Sequence, residues 1–450
     1  MRLRDETNRV ARRVERAWKP KPLPLSSPGV PAKQTGASSC STVSVSSSCY
    51  REPRPGHALP QAAGDIAMVY FMTSYIVSSP FEGYLPGLCA PGALVDALSS
   101  AVAAASLATL ALRVRSARFM EVARRKYALA LHQTNSSLAV PESAVLDKTL
   151  AAVLVLGLFE AVVFRGGQSP TSWTAHTFGA MELLQLRGPQ QFKSDVARRL
   201  FAQASNNIRT SCIQRSVEVP AAFLAFSDEV GSSLDPKDLA VRLAPIIDRV
   251  ASIKARSSTA PDPNLVHEAL DLDRQIVSFA AGLEEEMLCT VRLQADKAPW
   301  AYRGTACQYP SLRVAKFWNA IHMLRMFLVS FISDGISGER DLASLRTPDT
   351  AVCKGDFGAR LNEYAMNSMA GIATQVLASV PGFIEPRDPE GRFSPPARSL
   401  VWPLSILHKC SICPEEAREH SLVCLDKLAR DLNMPQAVYS AADPGSKEDW

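Results

Sequence analysis

From about Asp65 onward, apolar residues return at three- and four-residue steps in blocks that end at proline or glycine, the spacing that lines one face of a helix. This pattern predicts helices roughly over 66–79, 91–113, 115–138, 142–165, 171–187, 194–214, 217–231, 236–256, 263–288, 311–333, 356–380, 399–408 and 414–432. Sustained period-two alternation is missing and no Asn-Gly or Asp-Gly turn joins two apolar runs, so strands are not expected. The fold class that follows is all-α: one large multi-helix domain over 65–440, with no fixed repeat period. Two runs, Ala97 to Leu112 and Thr149 to Phe164, are apolar on nearly every side. Both fall short of the roughly 20 residues that cross a bilayer, and the second carries Glu160, so they read as buried helices and no membrane contact is expected.

The first 64 residues are patterned differently. Val10, Val14 and Trp18 at four-residue spacing predict a short basic helical segment over 1–19, ended by Pro20. Residues 20–64 hold eight prolines and a serine-rich stretch from Ser38 to Ser48. Such a composition buries too little apolar surface to offset its ordering entropy, and it reads as a disordered linker. Residues 441–450 read as a flexible tail.

A chain of 450 residues with 47% hydrophobic content can bury a sizeable core. The net charge of +5 is carried by the N-terminal arm, where residues 1–22 set eight basic side chains against three acidic ones. Arg9, Arg12, Arg13 and Arg16 are the candidates there for weak, non-specific DNA contact or for an import receptor, against the plainer reading of a solvated end. The ten cysteines are dispersed, and Met-Arg-Leu-Arg-Asp opens the chain without an apolar signal region, which argues against disulfides. Asp5, Glu6 and Glu15 disfavour a mitochondrial leader. A reducing nuclear or cytosolic compartment fits best.

The densest motif runs from Trp173 to Gln191, WTAHTFGAMELLQLRGPQQ. Trp173, His176, Ala180, Leu183 and Leu184 share one helix face, Gly179 permits a close neighbour, and Gly188-Pro189 stops the helix. Trp173, His176, Gly179, Ala180, Leu184, the run Arg187-Gly188-Pro189 and Gln191 resemble the regulatory domain of the fungal zinc-cluster transcription factors, in which an aromatic-x-x-His-x-x-Gly-Ala segment ends in Arg-Gly and is followed by a pair like Leu200-Phe201. Tyr70, Phe71 and Tyr75 resemble the family's opening aromatic helix. Ala123, Tyr127, Ala130, Leu131 and Asn135, then Asp147, Leu150, Ala152, Phe159 and Glu160, follow in the same order. Downstream, Trp318, Asn319 and Arg325 are similar to a Trp-Asn helix with a later arginine, and Trp402-Pro403-Leu404 and Pro435-Gln436-Ala437 to the closing segment. Leu3-Arg4-Asp5-Glu6-Thr7 and Val10 to Val14 resemble what lies just after the zinc cluster.

The zinc cluster itself needs two Cys-x-x-Cys pairs, each with a further cysteine. The single such pair is Cys410 and Cys413, with Cys424, His408 and His420 nearby. Cys413-Pro414-Glu415-Glu416 reads as a helix start rather than a metal loop, so no cofactor is expected in this chain, zinc being expected only if a six-cysteine module lies upstream. Nucleophile-elbow, phosphate-loop and dinucleotide fingerprints are all missing, and His267-Glu268 has Asp271 where a metalloprotease motif needs histidine, so no enzyme is expected. His176 reads as a core histidine with one hydrogen-bond partner, and Arg187 as a ligand of terminal helix carbonyls. Trp318 and Arg325 read as core packing, with the border of an effector pocket as the sharper alternative.

The resemblance implies a nuclear transcription regulator of a specialised-metabolite or nutrient gene set, without its own zinc cluster. The implied partners are transcription machinery or other regulators, with a small-molecule effector and a homodimer as further candidates. The missing cluster fits either a truncated gene model or a cofactor protein acting through partners. The rivals are a helical interaction scaffold outside transcription and a helical enzyme with a cryptic site of paired carboxylates.

Overall fold

The computed structural model describes residues 59–89, 96–164, 171–257, 263–283, 285–293, 300–343, 351–384, 395–433 and 437. Arg9, Arg12, Arg13 and Arg16, the helix expected over 1–19, nearly all of the expected linker and the tail lie outside them. In chain order the elements are α1 (Leu59–Tyr70), continued by a π-turn over Phe71–Tyr75, α2 (Ala97–Arg113), α3 (Ala117–Leu138), α4 (Asp147–Val163), α5 (Thr171–Arg187), α6 (Asp195–Gln214), α7 (Ala221–Glu229), α8 (Leu239–Ser257) and α9 (Pro263–Ala281). A hairpin of β1 (Thr290–Leu293) and β2 (Thr305–Gln308) leads to α10 (Leu312–Ala343), α11 (Ala351–Ile384), α12 (Val401–Lys409) and α13 (Glu415–Leu432). Among the described residues the fold is all-α with this one small hairpin.

Helices α2 and α4 are apolar nearly all the way round, and such helices are stable only when covered on every side. Helix α3 packs along α2, α2 packs on α4, and α5 covers α4 in turn. Buried Ser100, Ser106 and Thr109, with Ala101, Ala104, Ala105 and Ala108, keep the α2 surface small enough for that close packing. Leu150 and Leu156 of α4 are all but inaccessible, and each such leucine contributes roughly 1.5–3 kcal/mol. Among the described residues, no helix is long and apolar enough to cross a membrane.

Local polar residues set the helix ends. The Asp96 side chain accepts from Ser99 N at 2.8 Å while Ser99 Oγ accepts from Asp96 N at 2.8 Å, a capping box that starts α2 at Ala97. Ser116 and Ser194 cap α3 and α6 by accepting from Phe119 N and Ala197 N. Asn433 closes α13 in the left-handed conformation (φ 48°, ψ 44°), and its Nδ2 donates to Leu112 O at 3.0 Å.

The second half of the chain is tied to the first by side-chain bonds to backbone oxygens. Besides Asn433 to Leu112, Arg115 Nη2 donates to Arg430 O (3.0 Å), Arg398 Nη1 to Tyr75 O (3.0 Å) and Lys316 Nζ to Ser78 O (2.9 Å). Helices α6 and α8 are locked by Arg209, whose Nε and Nη2 reach the two Asp248 carboxylate oxygens at 2.7 and 3.1 Å.

Three expectations are corrected in detail. The first helix begins at Leu59 rather than near 66 and gives way to the π-turn at Phe71. The helix expected over 263–288 stops at Ala281, where Gly282 N bonds Ser278 O. A hairpin then forms although no strand was expected: β1 and β2 pair antiparallel with Thr290 opposite Gln308 and Leu293 opposite Thr305. Its strands are four residues each, too short for alternation to show, and β2 is supported from outside by α11, which passes Cys307 O at Gly382.

Candidate functional site

The signature residues of three different helices meet at one buried polar network. Tyr127 of α3 donates its phenolic proton to Glu160 of α4, and His176 Nε2 of α5 lies 3.1 Å from the same phenolic oxygen. Phe159 stacks on the Tyr127 ring at 4.3 Å. Burial holds the His176 imidazole down at about 4, and burial raises Glu160 and Tyr127 above their ordinary ranges. The histidine is therefore neutral near pH 7. At Gly157 the two helices run close together, and a Cβ there would lie in ordinary contact with His176 Cβ at 3.6 Å and Trp173 Cδ1 at 3.8 Å. Gly179 and Ala180 are buried on the next turn of α5.

At the end of α5, Arg187 pairs with Asp147 at the start of α4. The terminal carbonyls that sequence reasoning gave to Arg187 are taken by Gln191, whose Nε2 donates to Leu184 O and Gly188 O, each at 2.9 Å. Gly188 holds φ 60° and ψ −171°, a conformation that is open to glycine and strained for other residues.

Trp318 and Arg325 serve two separate pairings. Trp318 Nε1 donates to Met287 O at 2.6 Å, fastening α10 to the turn before the hairpin. Arg325 grips Asp273 of α9 with Nε and Nη2 at 2.8 and 3.1 Å, and Tyr364 of α11 donates to the same carboxylate at 2.6 Å. His408 Nδ1 faces Arg418 O at 3.3 Å, the His420 ring leans on Tyr302, and Cys410, Cys413 and Cys424 are buried. Among the described residues, no group of three or more His, Cys, Asp or Glu side chains is placed to hold a metal ion.

A cavity of about 390 Å³ lies where the two halves of the chain meet. Helix α4 offers Gly157 and Glu160 to the signature network and Leu158, Ala161 and Val162 to this cavity. Leu112, Met323, Val401, Trp402 and Leu432 complete its apolar wall. Its cationic groups are Arg113, which sits over the Tyr70 ring at 5.0 Å, Arg398, over the Tyr75 ring at 4.0 Å, and Lys316. Burial, with Arg398 close by, pushes the Lys316 ammonium down to about 8. Two acceptors of lining residues, Gln214 Oε1 and Asp431 Oδ2, are buried without a hydrogen-bond partner.

Of the residues picked out in the sequence, Tyr70, Tyr75, Asn319 and Trp402 line this cavity. His176, Trp318 and Arg325 do not. Lys316 and Arg398 were missed, because an isolated lysine in a helix and an isolated arginine after two prolines carry no sequence signal of convergence.

Comparison with known proteins agrees with this picture over part of the chain. A family model described as a fungal specific transcription factor domain matches residues 67–214, which run from α1 through the last residue of α6. That segment holds the whole Tyr127, Glu160 and His176 network, and it points to a transcription regulator. The Trp318 and Trp402 segments fall outside the match. An uncharacterized protein of Emericella nidulans is 29% identical over 122 residues, which are 26% of this chain and 25% of that protein. The chain thus spans about a quarter of that relative's length. No solved structure matches the chain.

Proposed function

We propose that the chain is the regulatory body of a nuclear transcription regulator, controlling a pathway-specific set of genes for specialised metabolites or nutrients. It works without catalysis, by contacts with transcription machinery or other regulators, and Arg9, Arg12, Arg13 and Arg16 add weak, salt-sensitive DNA contact at most. The observation that carries this reading is the match of residues 67–214 to a fungal specific transcription factor domain. The meeting of Tyr127, Glu160 and His176 in one network supports it, because the resembling segments are then one physical unit rather than scattered likenesses.

Two readouts on the full chain test it. A tagged copy is expected in the nucleus, and deletion of the gene is expected to shift a coherent group of transcripts. Nuclear exclusion with unchanged transcripts would replace this reading by a helical interaction scaffold outside transcription.

A further inference from the structure

The cavity between the two halves is divided chemically. At one end Arg113 and Arg398 stand against Tyr70 and Tyr75, and Lys316 is close enough to Arg398 to feel its charge. Lys316 gives one of its three protons to Ser78 O, and Arg398 gives Nη1 to Tyr75 O, so both are held in place by the backbone of the opening aromatic segment. Two carboxylates lie near this wall. Glu82, the acidic group that acts on Lys316, accepts from Ser78 N at 2.6 Å, and Asp431 pairs with Lys427 at 3.0 Å. Lys316 and Arg398 face one lining carboxylate, Asp431, which Lys427 pairs, so this end of the lining keeps a positive excess beside a largely apolar wall.

Gathering like charges around partly buried space is costly unless an anion joins them. The apolar side cannot be satisfied by a bare inorganic ion, since Leu158, Met323 and Trp402 gain only from hydrocarbon or aromatic surface.

We propose that this cavity binds an amphipathic organic anion, its acidic group seated on Lys316 and Arg398 and its apolar body lying along Leu158, Met323 and Trp402. The regulatory reading enters only in calling such a ligand an effector; the binding itself rests on the lining residues. Because α1, α2 and α4 supply one wall and α10 and α12 the other, an occupant bridges the matched segment and the rest of the chain.

The test uses purified full-length protein and two fluorescent probes that share one ring system, 1-anilinonaphthalene-8-sulfonate and its uncharged counterpart N-phenyl-1-naphthylamine. The anion is expected to bind saturably, one per chain, with quenching of tryptophan emission that Trp402→Phe reduces. Lys316→Gln and Arg398→Gln are each expected to weaken the anion by about tenfold while leaving the neutral probe within about twofold. Lys316→Arg should retain binding, and Leu158→Trp, which fills the space, should abolish it for both probes. Circular dichroism melts separate a lost site from a lost fold. Equal effects on both probes, no effect of the glutamine variants, or binding that fails to saturate would overturn the proposal. Transcript changes on deletion are scored separately, so failure of the regulatory reading leaves this result standing, and the reverse.

Discussion

Arg325 and Asp273 form a two-point ion pair between α10 and α9, with the Asp273 side chain fully buried and Tyr364 bonded to the same carboxylate. Removing one member strands the other charge, so Arg325→Met is expected to destabilise the protein by about 3–5 kcal/mol. The double variant Arg325→Met/Asp273→Leu should lose less than the two single losses added, since neither charge remains buried alone. Urea unfolding of the three variants decides this, and additive losses would show that the pair does not act as a unit.

Two glycines should respond in opposite directions to the same substitution. Gly188 sits at positive φ in a region open to glycine, so Gly188→Ala is expected to cost about 1–3 kcal/mol. Gly371 lies within α11 with nothing near its absent Cβ, and Gly371→Ala should stabilise by about 0.5–1 kcal/mol through helix propensity alone. Thermal melting of the pair reads both signs in one experiment.

His322 is buried with neither ring nitrogen hydrogen-bonded, and burial, reinforced by Arg325, holds its pKa down at about 3. An unfolded histidine titrates near 6.5, so the unfolded chain takes up a proton that the folded chain refuses. The associated stability is full above about pH 6.5 and is lost as pH falls toward 3. His322→Met should flatten this loss between pH 6.5 and 4.5, as measured by urea midpoints at both values. An unchanged acid limb would mean that His322 is protonated in the folded protein.

Lys316 titrates at about 8, so the affinity of the cavity for an organic anion should fall as pH rises through that value. Arg398 and Glu82 are the charged groups acting on it. A bound anion favours the ammonium form, so the midpoint should move upward in the complex. Titrating 1-anilinonaphthalene-8-sulfonate from pH 7 to 10 tests this, and Lys316→Arg should remove the step.

The helices were legible because the core is built from them: α3, α5, α6 and α13 fall within two residues of their apolar patterns, while α2 and α4 begin six and five residues after theirs. Helix ends were less so: the π-turn at Phe71 carries no proline or glycine signal, and Gly282 directly after Ala281 is a stop that the apolar pattern running on to Leu288 masks. The hairpin was illegible because its strands are short and α11 backs TACQ, a support that lies far along the chain. The cavity was half visible. Tyr70, Tyr75, Asn319 and Trp402 stood out as parts of resembling segments, whereas Lys316 and Arg398 acquire meaning only when residues 238 and 323 positions away in the chain, Ser78 and Tyr75, are brought to them.

The central claim, that this chain is a control body for transcription, is tested most directly by tethering. The full-length chain is joined to a heterologous DNA-binding module and transcript output is measured from a reporter carrying that module's site. The account predicts a change of about fivefold or more, up or down, relative to the module alone, with Arg325→Met and Lys316→Gln altering it. Output indistinguishable from the module alone, from a fusion shown to be folded and bound at the reporter, would contradict it.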